Sequence, residues 1–372
     1  MPPEAARNSA VSYGPIPYKR LSSRTPEIRL LEIQPTSNLN ENVSCRIVNV
    51  PLSEEPVFVG LSALVGDPSV TEDIYVNHIK IPVPANLAEA IRHVRAVFLP
   101  ASTAVNSSRA ASVNSSELTD NDTEKSSQKS REHDGTLKPR RWLRNLFRPF
   151  KSTQTKPQPL RLWTDNLCIN SRDALEAGDR VRLMEEAYRR AQTVVGWLGL
   201  KDETSDLVVE TIDTIDAAMP KEFGSPQHRK EHPEHYAPRY VWMADMMHLW
   251  ALPDGIQRLD QWPIYKSMSA FMARPFFQRG WIMTEISKAT FPTFLLGKSI
   301  ISWAQILRMN RATEELVDNG ADMFPESFRD QLNFFPLNTI FTLLDGFETQ
   351  AKTNSVATTP YAASPVYGVG KH

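Results

Sequence analysis

The chain has almost no cysteine, almost no net charge and no long apolar run, and each absence removes a class of function. Cys45 and Cys168 are the only cysteines in 372 residues, too few for a cysteine-built zinc site or a disulfide scaffold, and this fits a reducing compartment. The formal net charge of -1 leaves no whole-molecule field to gather nucleic acid or an acidic surface, so nucleic acid is not an expected partner. No apolar run approaches the length that spans a bilayer, and the amino terminus MPPEAARNSAVSYG lacks a basic start followed by an apolar core. A cytoplasmic protein is the expectation. Gly-rich phosphate loops, a GxSxG elbow and HExxH are also missing. What remains is ordinary for a globular protein, with 41% hydrophobic and 23% charged residues, enough to bury a sizeable core.

Short apolar runs separated by turn residues fill the first hundred positions. Alternation and β-branched content predict strands at 28–33, 45–50, 57–66 and 78–83. Pro84 and Asn86 introduce a helix with Leu87, Ala90, Ile91 and Val94 on one face. From about Ala101 to Gly135 the composition turns to Ser, Asn, Thr, Asp and Lys. Such a stretch buries too little to offset its ordering entropy, and it is expected to be a disordered insertion within one domain. It ends in KPRRWLRNLFRPFK (Lys138–Lys151), a basic amphipathic pattern in which Arg140, Arg141, Arg144 and Arg148 form a candidate patch for an anionic membrane or a partner protein. A short helix covering the domain's own core, or a disordered basic stretch, is the alternative reading.

The segment from Leu162 to Gly199 reads as one unit: a strand at 161–169, a helix from about Asp173 to Arg190 carrying Val181, Met184, Tyr188 and Ala191 at helical spacing, and a strand at 193–199. That order favours a parallel strand pair with a right-handed crossover. Ser205 is placed as an N-cap, 221–261 is irregular, and Pro263 starts a helix to Met272. Strands at 279–286 and 293–297 and a helix capped by Ser302 follow. The expected fold is α/β with mixed character, a parallel or mixed central sheet flanked by helices. The domain is placed at 28–349, after an extension at 1–27; 101–160 is the insertion and 350–372 a disordered tail.

Four places could carry chemistry. His228, His232 and His235 have a spacing that can ligate a metal, but Pro233 breaks helical geometry between them, and no metal set is assigned. Asp165 and Cys168 sit near the carboxyl end of the expected strand, the edge where open α/β sheets bind ligands. Cys168 has no adjacent His to stabilise a thiolate and is expected in the core. Asp165, an acid within an apolar run, needs a partner such as an arginine or a helix terminus. Alternation in RGWIMTEI places Glu285 on the face of Trp281 and Met283, where it either pairs with Arg279 or Arg274 or has a raised pKa suited to acid–base work.

At two of these blocks the chain resembles the heterokaryon incompatibility domain of filamentous fungi. The family pattern runs approximately lWIDalCINQ, then D, E, R, V, M, IY and A at fixed intervals, then VivWLG. Trp163, Asp165, Cys168, Asn170, Asp173, Glu176, Val181, Met184, Tyr188, Ala191, Trp197 and Gly199 match in register. A later block, with Arg274, Phe277, Arg279, Trp281, Glu285, Gly297 and Trp303, is similar to the family's second motif. The resemblance covers roughly 28–303, with 101–159 as an insertion. The chain also departs from the pattern: Ser171, Arg180 and Thr284 each stand where the family has Gln, Leu296 where it has Cys, and Ala63 and Val65 where it has aromatics.

The resemblance implies a non-self recognition factor acting through protein association and triggering growth arrest and programmed cell death when genetically different cells fuse. The family's proposed distant relation to Toll/interleukin-1 receptor domains, some of which cleave NAD with a glutamate, makes Glu285 and Asp165 the candidate catalytic residues of an alternative, NAD-consuming function. A degenerate, inactive paralogue is the third reading. No cofactor is evident, NAD being a substrate only by that analogy.

Overall fold

The structure is a computed structural model, and it describes residues 16–22, 24–36, 38–99, 159–221, 223, 226–236, 242, 247–250, 253–278, 289 and 292–319. Among these, nine strands form one mixed sheet: β1 (Glu27–Ile33), β2 (Ser44–Pro51), β3 (Val59–Ser62), β4 (Thr71–Val76), β5 (Ile79–Pro84), β6 (Leu160–Trp163), β7 (Thr193–Gly199), β8 (Pro292–Leu296) and β9 (Ser299–Ser302), in the order β5-β4-β2-β1-β6-β3-β7-β8-β9. The helices are α1 (Ala85–Phe98), α2 (Asp165–Cys168), α3 (Ala174–Gly178), α4 (Arg180–Arg190), α5 (Ser205–Ala218), α6 (Pro226–Glu231), α7 (Met247–Trp250), α8 (Pro263–Met272) and α9 (Trp303–Asn319). The expected α/β class with a mixed sheet and flanking helices is what the molecule adopts.

Its centre is a parallel block, β6-β3-β7-β8, bordered by antiparallel β1 on one side and β9 on the other. Parallel strands lie between layers on both faces and therefore read as unbroken apolar runs. In β7 every residue from Thr193 to Leu198 is buried. Gly196 permits this, because a Cβ there would lie 2.6 Å from the ring of Phe276. One core gathers β1 to β7 with α1, and a second gathers α5, α8 and α9 around Phe276, Phe277 and Phe294. Each such apolar side chain contributes about 1.5–3 kcal/mol by leaving water.

Several expectations change in detail. The strand predicted over 161–169 stops at Trp163 and gives way to α2. The helix predicted over 173–190 is two, since Gly178 weakens it and Asp179, at φ -89 and ψ 5, steps out of helical geometry. The break turns Val181 outward to 50% exposure, while Ala187 and Tyr188 stay in the core. β6 and β7 are parallel but not neighbours, because β3 lies between them. β3 itself is confined to four residues of the predicted 57–66. β4, TEDIYV, escaped the sequence reading because only Ile74 and Val76 of it are buried. Ser205 is the first residue of α5, and Thr204 is its cap.

Ahead of the expected domain start, Ile16 is buried and Tyr18 packs on the first core. The strand predicted at 279–286, the basic segment 138–151 and the tail 350–372 lie outside the described residues, as does the insertion 101–160 apart from its last two positions. Among the described residues no helix is long and apolar enough to cross a membrane.

Candidate functional site at the carboxyl edge of the parallel block

Strands β6, β3, β7 and β8 all end on one edge, where their loops carry most of the residues singled out above. Asp165 is the first residue of α2, just past β6, rather than a mid-strand acid. Its carboxylate pairs with Arg180 of α4. Arg180 stands where the resembled family has Gln, so the departure at 180 supplies the charge that Asp165 needs.

Cys168, at the end of α2, is buried, and desolvation pushes its thiol up to about 12. At neutral pH it is a packed thiol and not a nucleophile. The turn after it is held from below by a buried ion pair. Arg29 in β1 is 1% exposed and donates to both oxygens of Glu176, at 2.5 and 2.6 Å. It also donates to the Cys168 carbonyl at 3.2 Å and the Lys19 carbonyl at 2.9 Å, and its guanidinium lies over the Tyr18 ring at 5.0 Å. Glu176 in turn accepts from the Asn170 backbone N–H at 2.9 Å. Asn170 accepts from the Arg172 N–H, and Asp173 caps α3 by accepting from the Leu175 N–H. The matched residues Cys168, Asn170, Asp173 and Glu176 thus build one rigid turn. Arg29 was missed at the sequence level, although an arginine amid the apolar IRLLEI raises the same question as Asp165.

The aromatic members are framework as well. Trp163 meets Tyr188 edge-on at 5.0 Å. Trp197 is 1% exposed, and its indole N–H donates to the Asn86 side chain at 3.0 Å. Asn86 does not cap α1 but donates to the Leu64 carbonyl at 2.6 Å, tying the loop after β3 to β7. Past β7, Gly199 takes a φ of +97, a left-handed backbone that suits glycine. Arg274 closes this corner, donating to the carbonyls of Leu198 and Leu200 at 2.9 and 3.0 Å, to Asp202 at 2.6 Å and to Ser205 at 3.0 Å. Gly297, at φ +55, donates to the Gly199 carbonyl at 2.9 Å. Trp303 packs in the second core. Arg279, Trp281 and Glu285 lie outside the described residues, as do Arg140, Arg141, Arg144 and Arg148.

The structure therefore gives Asp165 and Arg274 separate partners on the same edge, Arg180 for one and Asp202 for the other. Among the described residues, the structure also brings the three histidines together. Pro233, expected to separate them, starts a 3₁₀ turn over 233–236 that folds His235 back to 3.4 Å from His228.

The family model for the heterokaryon incompatibility protein (HET) matches residues 106–285. Heterokaryon incompatibility protein 6, OR allele, of Neurospora crassa is 26% identical over 299 residues, covering 76% of this chain and 35% of that protein. The chain thus spans about a third of the length of this curated relative. No solved structure matches it. Over the matched residues this chain is thus similar to the heterokaryon incompatibility family.

Proposed function

We propose that the chain is a heterokaryon incompatibility factor that acts by protein association, signalling growth arrest and cell death in the cytoplasm after fusion of genetically different cells. The observation that carries this reading is a pair of exposed aliphatic side chains inside the family block. Leu175 and Val181 are 69% and 50% exposed, on the two helices that flank the break at Gly178 and Asp179. Large aliphatic side chains held in water on a framework this constrained are available to a partner. The curated relative's name carries the incompatibility function, and the similarity supports its transfer here.

The test is inducible expression in a filamentous fungus with growth and viability as readouts. Expression of the natural chain is expected to arrest growth, and Leu175→Asp with Val181→Asp to abolish arrest while the melting temperature stays within a few degrees. Arrest undiminished by the double substitution would sink the association reading. A natural chain that has no effect, alone or beside an intact relative, would favour the degenerate reading, which has its own support in the Arg180 that occupies Asp165.

A further inference from the structure

We propose that His232, Glu234 and His235 form a zinc-binding site. Among the described residues these three bring their donor atoms within 4.8 Å of one another. The Glu234 Oε1 lies 3.1 Å from His232 Nδ1 and 3.8 Å from His235 Nε2. Ligand atoms about 2.0–2.1 Å from a tetrahedral zinc are about 3.4 Å from each other, so the two spacings bracket what the ion imposes. Small side-chain rotations bring all three onto one centre.

The local fold explains why the cluster exists. α6 ends at Glu231, and the His232 N–H donates to the His228 carbonyl at 2.8 Å, continuing the helical turn so that His228 and His232 lie one above the other. Pro233 then opens the 3₁₀ turn, and the His235 N–H donates to the His232 carbonyl at 3.1 Å. The rings of His232 and His235 stack at 5.1 Å and 13°. Three imidazoles and a carboxylate therefore crowd one spot. An ordinary surface spreads such groups, whereas a cation of borderline softness draws them together.

His228 has a different part. It is 5% exposed, set edge-on against Phe223, and its Nε2 faces His235 Nδ1 at 3.4 Å. A buried partner on the far nitrogen fixes the ring and tautomer of a ligating histidine. We assign His228 that positioning role, with His235 binding through Nε2. His232 and Glu234 are about half exposed, so the fourth position of the ion faces solvent. Three protein ligands and an open position are the arrangement in which zinc also takes water or an exogenous donor.

The experiment uses the full chain, stripped with a chelator and titrated with zinc chloride by calorimetry, with cobalt(II) as a visible-absorption probe of tetrahedral N/O ligation. One equivalent of zinc is expected to bind and to raise the melting temperature. His232→Ala, His235→Ala and Glu234→Gln should each weaken binding about tenfold or more, and His228→Gln by about 10–100-fold. His248→Ala, on the exposed side of α7, should change nothing. His232 and Glu234 are exposed enough for their variants to fold, which a melting curve without metal checks. A folded natural chain that takes up no stoichiometric zinc overturns the site, and so does equal affinity in the His232→Ala/His235→Ala double variant.

Discussion

Arg29 and Glu176 face each other with both charges withdrawn from water, so removing either strands the other. Arg29→Met alone is expected to cost about 3–5 kcal/mol, whereas Arg29→Met with Glu176→Leu should recover much of that loss. Urea unfolding of the two single variants and the double gives the coupling directly. Glu32 shows the opposite balance between burial and charge. Burial alone raises its pKa, but hydrogen bonds and charge from Arg46 and Arg161 more than reverse this, and the net shift is downward. A carboxyl depressed on folding stabilises above its unfolded value of about 4.3 and loses that contribution as pH falls through the folded value. The stability gap between the natural chain and Glu32→Gln should therefore be full near neutrality and close as acid is added below about pH 4. Burial pushes both thiols up to about 12, so Cys45 and Cys168 stay protonated and pack in the core, each donating weakly to a backbone carbonyl, of Tyr75 and Leu162 respectively.

Elements differ in how much of themselves they declare. α1, β7, α5 and α8 could be read from the sequence because apolar pattern and start signals such as Pro84, Ser205 and Pro263 agree there: in α1 Leu87, Ala90, Ile91 and Val94 are all buried as the 3.6-residue period requires. α9 was read from its start, and the structure gives the reason in full. Ser302 Oγ accepts from the Gln305 N–H, and Gln305 Oε1 accepts from the Ser302 N–H, a reciprocal cap. Ser302→Ala should lower stability by about 1 kcal/mol in a urea titration. The end of β6 and the split between α3 and α4 were not legible, because Thr164 and Asp179 act through backbone geometry that spacing does not encode. The same limit hid Asp165's partner. That an acid in the apolar run needed a cation followed from solvation, but Arg180 could be chosen only once α4 was in place. Gly196 too is silent in sequence, yet Gly196→Ala should cost about 1–3 kcal/mol by driving a methyl group into Phe276, a loss the same titration would read.

At the scale of the molecule, the match to the family model and the extent of the sheet do not coincide. The model's match begins at residue 106, but β6 is hydrogen-bonded on one side to β1 and on the other to β3, both from the first hundred residues. A fragment of 106–285 would leave β6 with neither neighbour. It should be unfolded or aggregated by circular dichroism and limited proteolysis, whereas 16–319 should melt cooperatively. How the chain leaves the ribosome follows from the same interleaving. β1 and β3 emerge early with the gap between them unfilled, and β6, which fills it, is translated only some sixty residues after α1 has ended. Until β6 and β7 arrive, one edge of β1 and both edges of β3 are bare and must be shielded. The nascent protein is thus a natural client for holding chaperones, and synthesis halted anywhere between α1 and β7 should yield an aggregating product rather than a smaller stable domain.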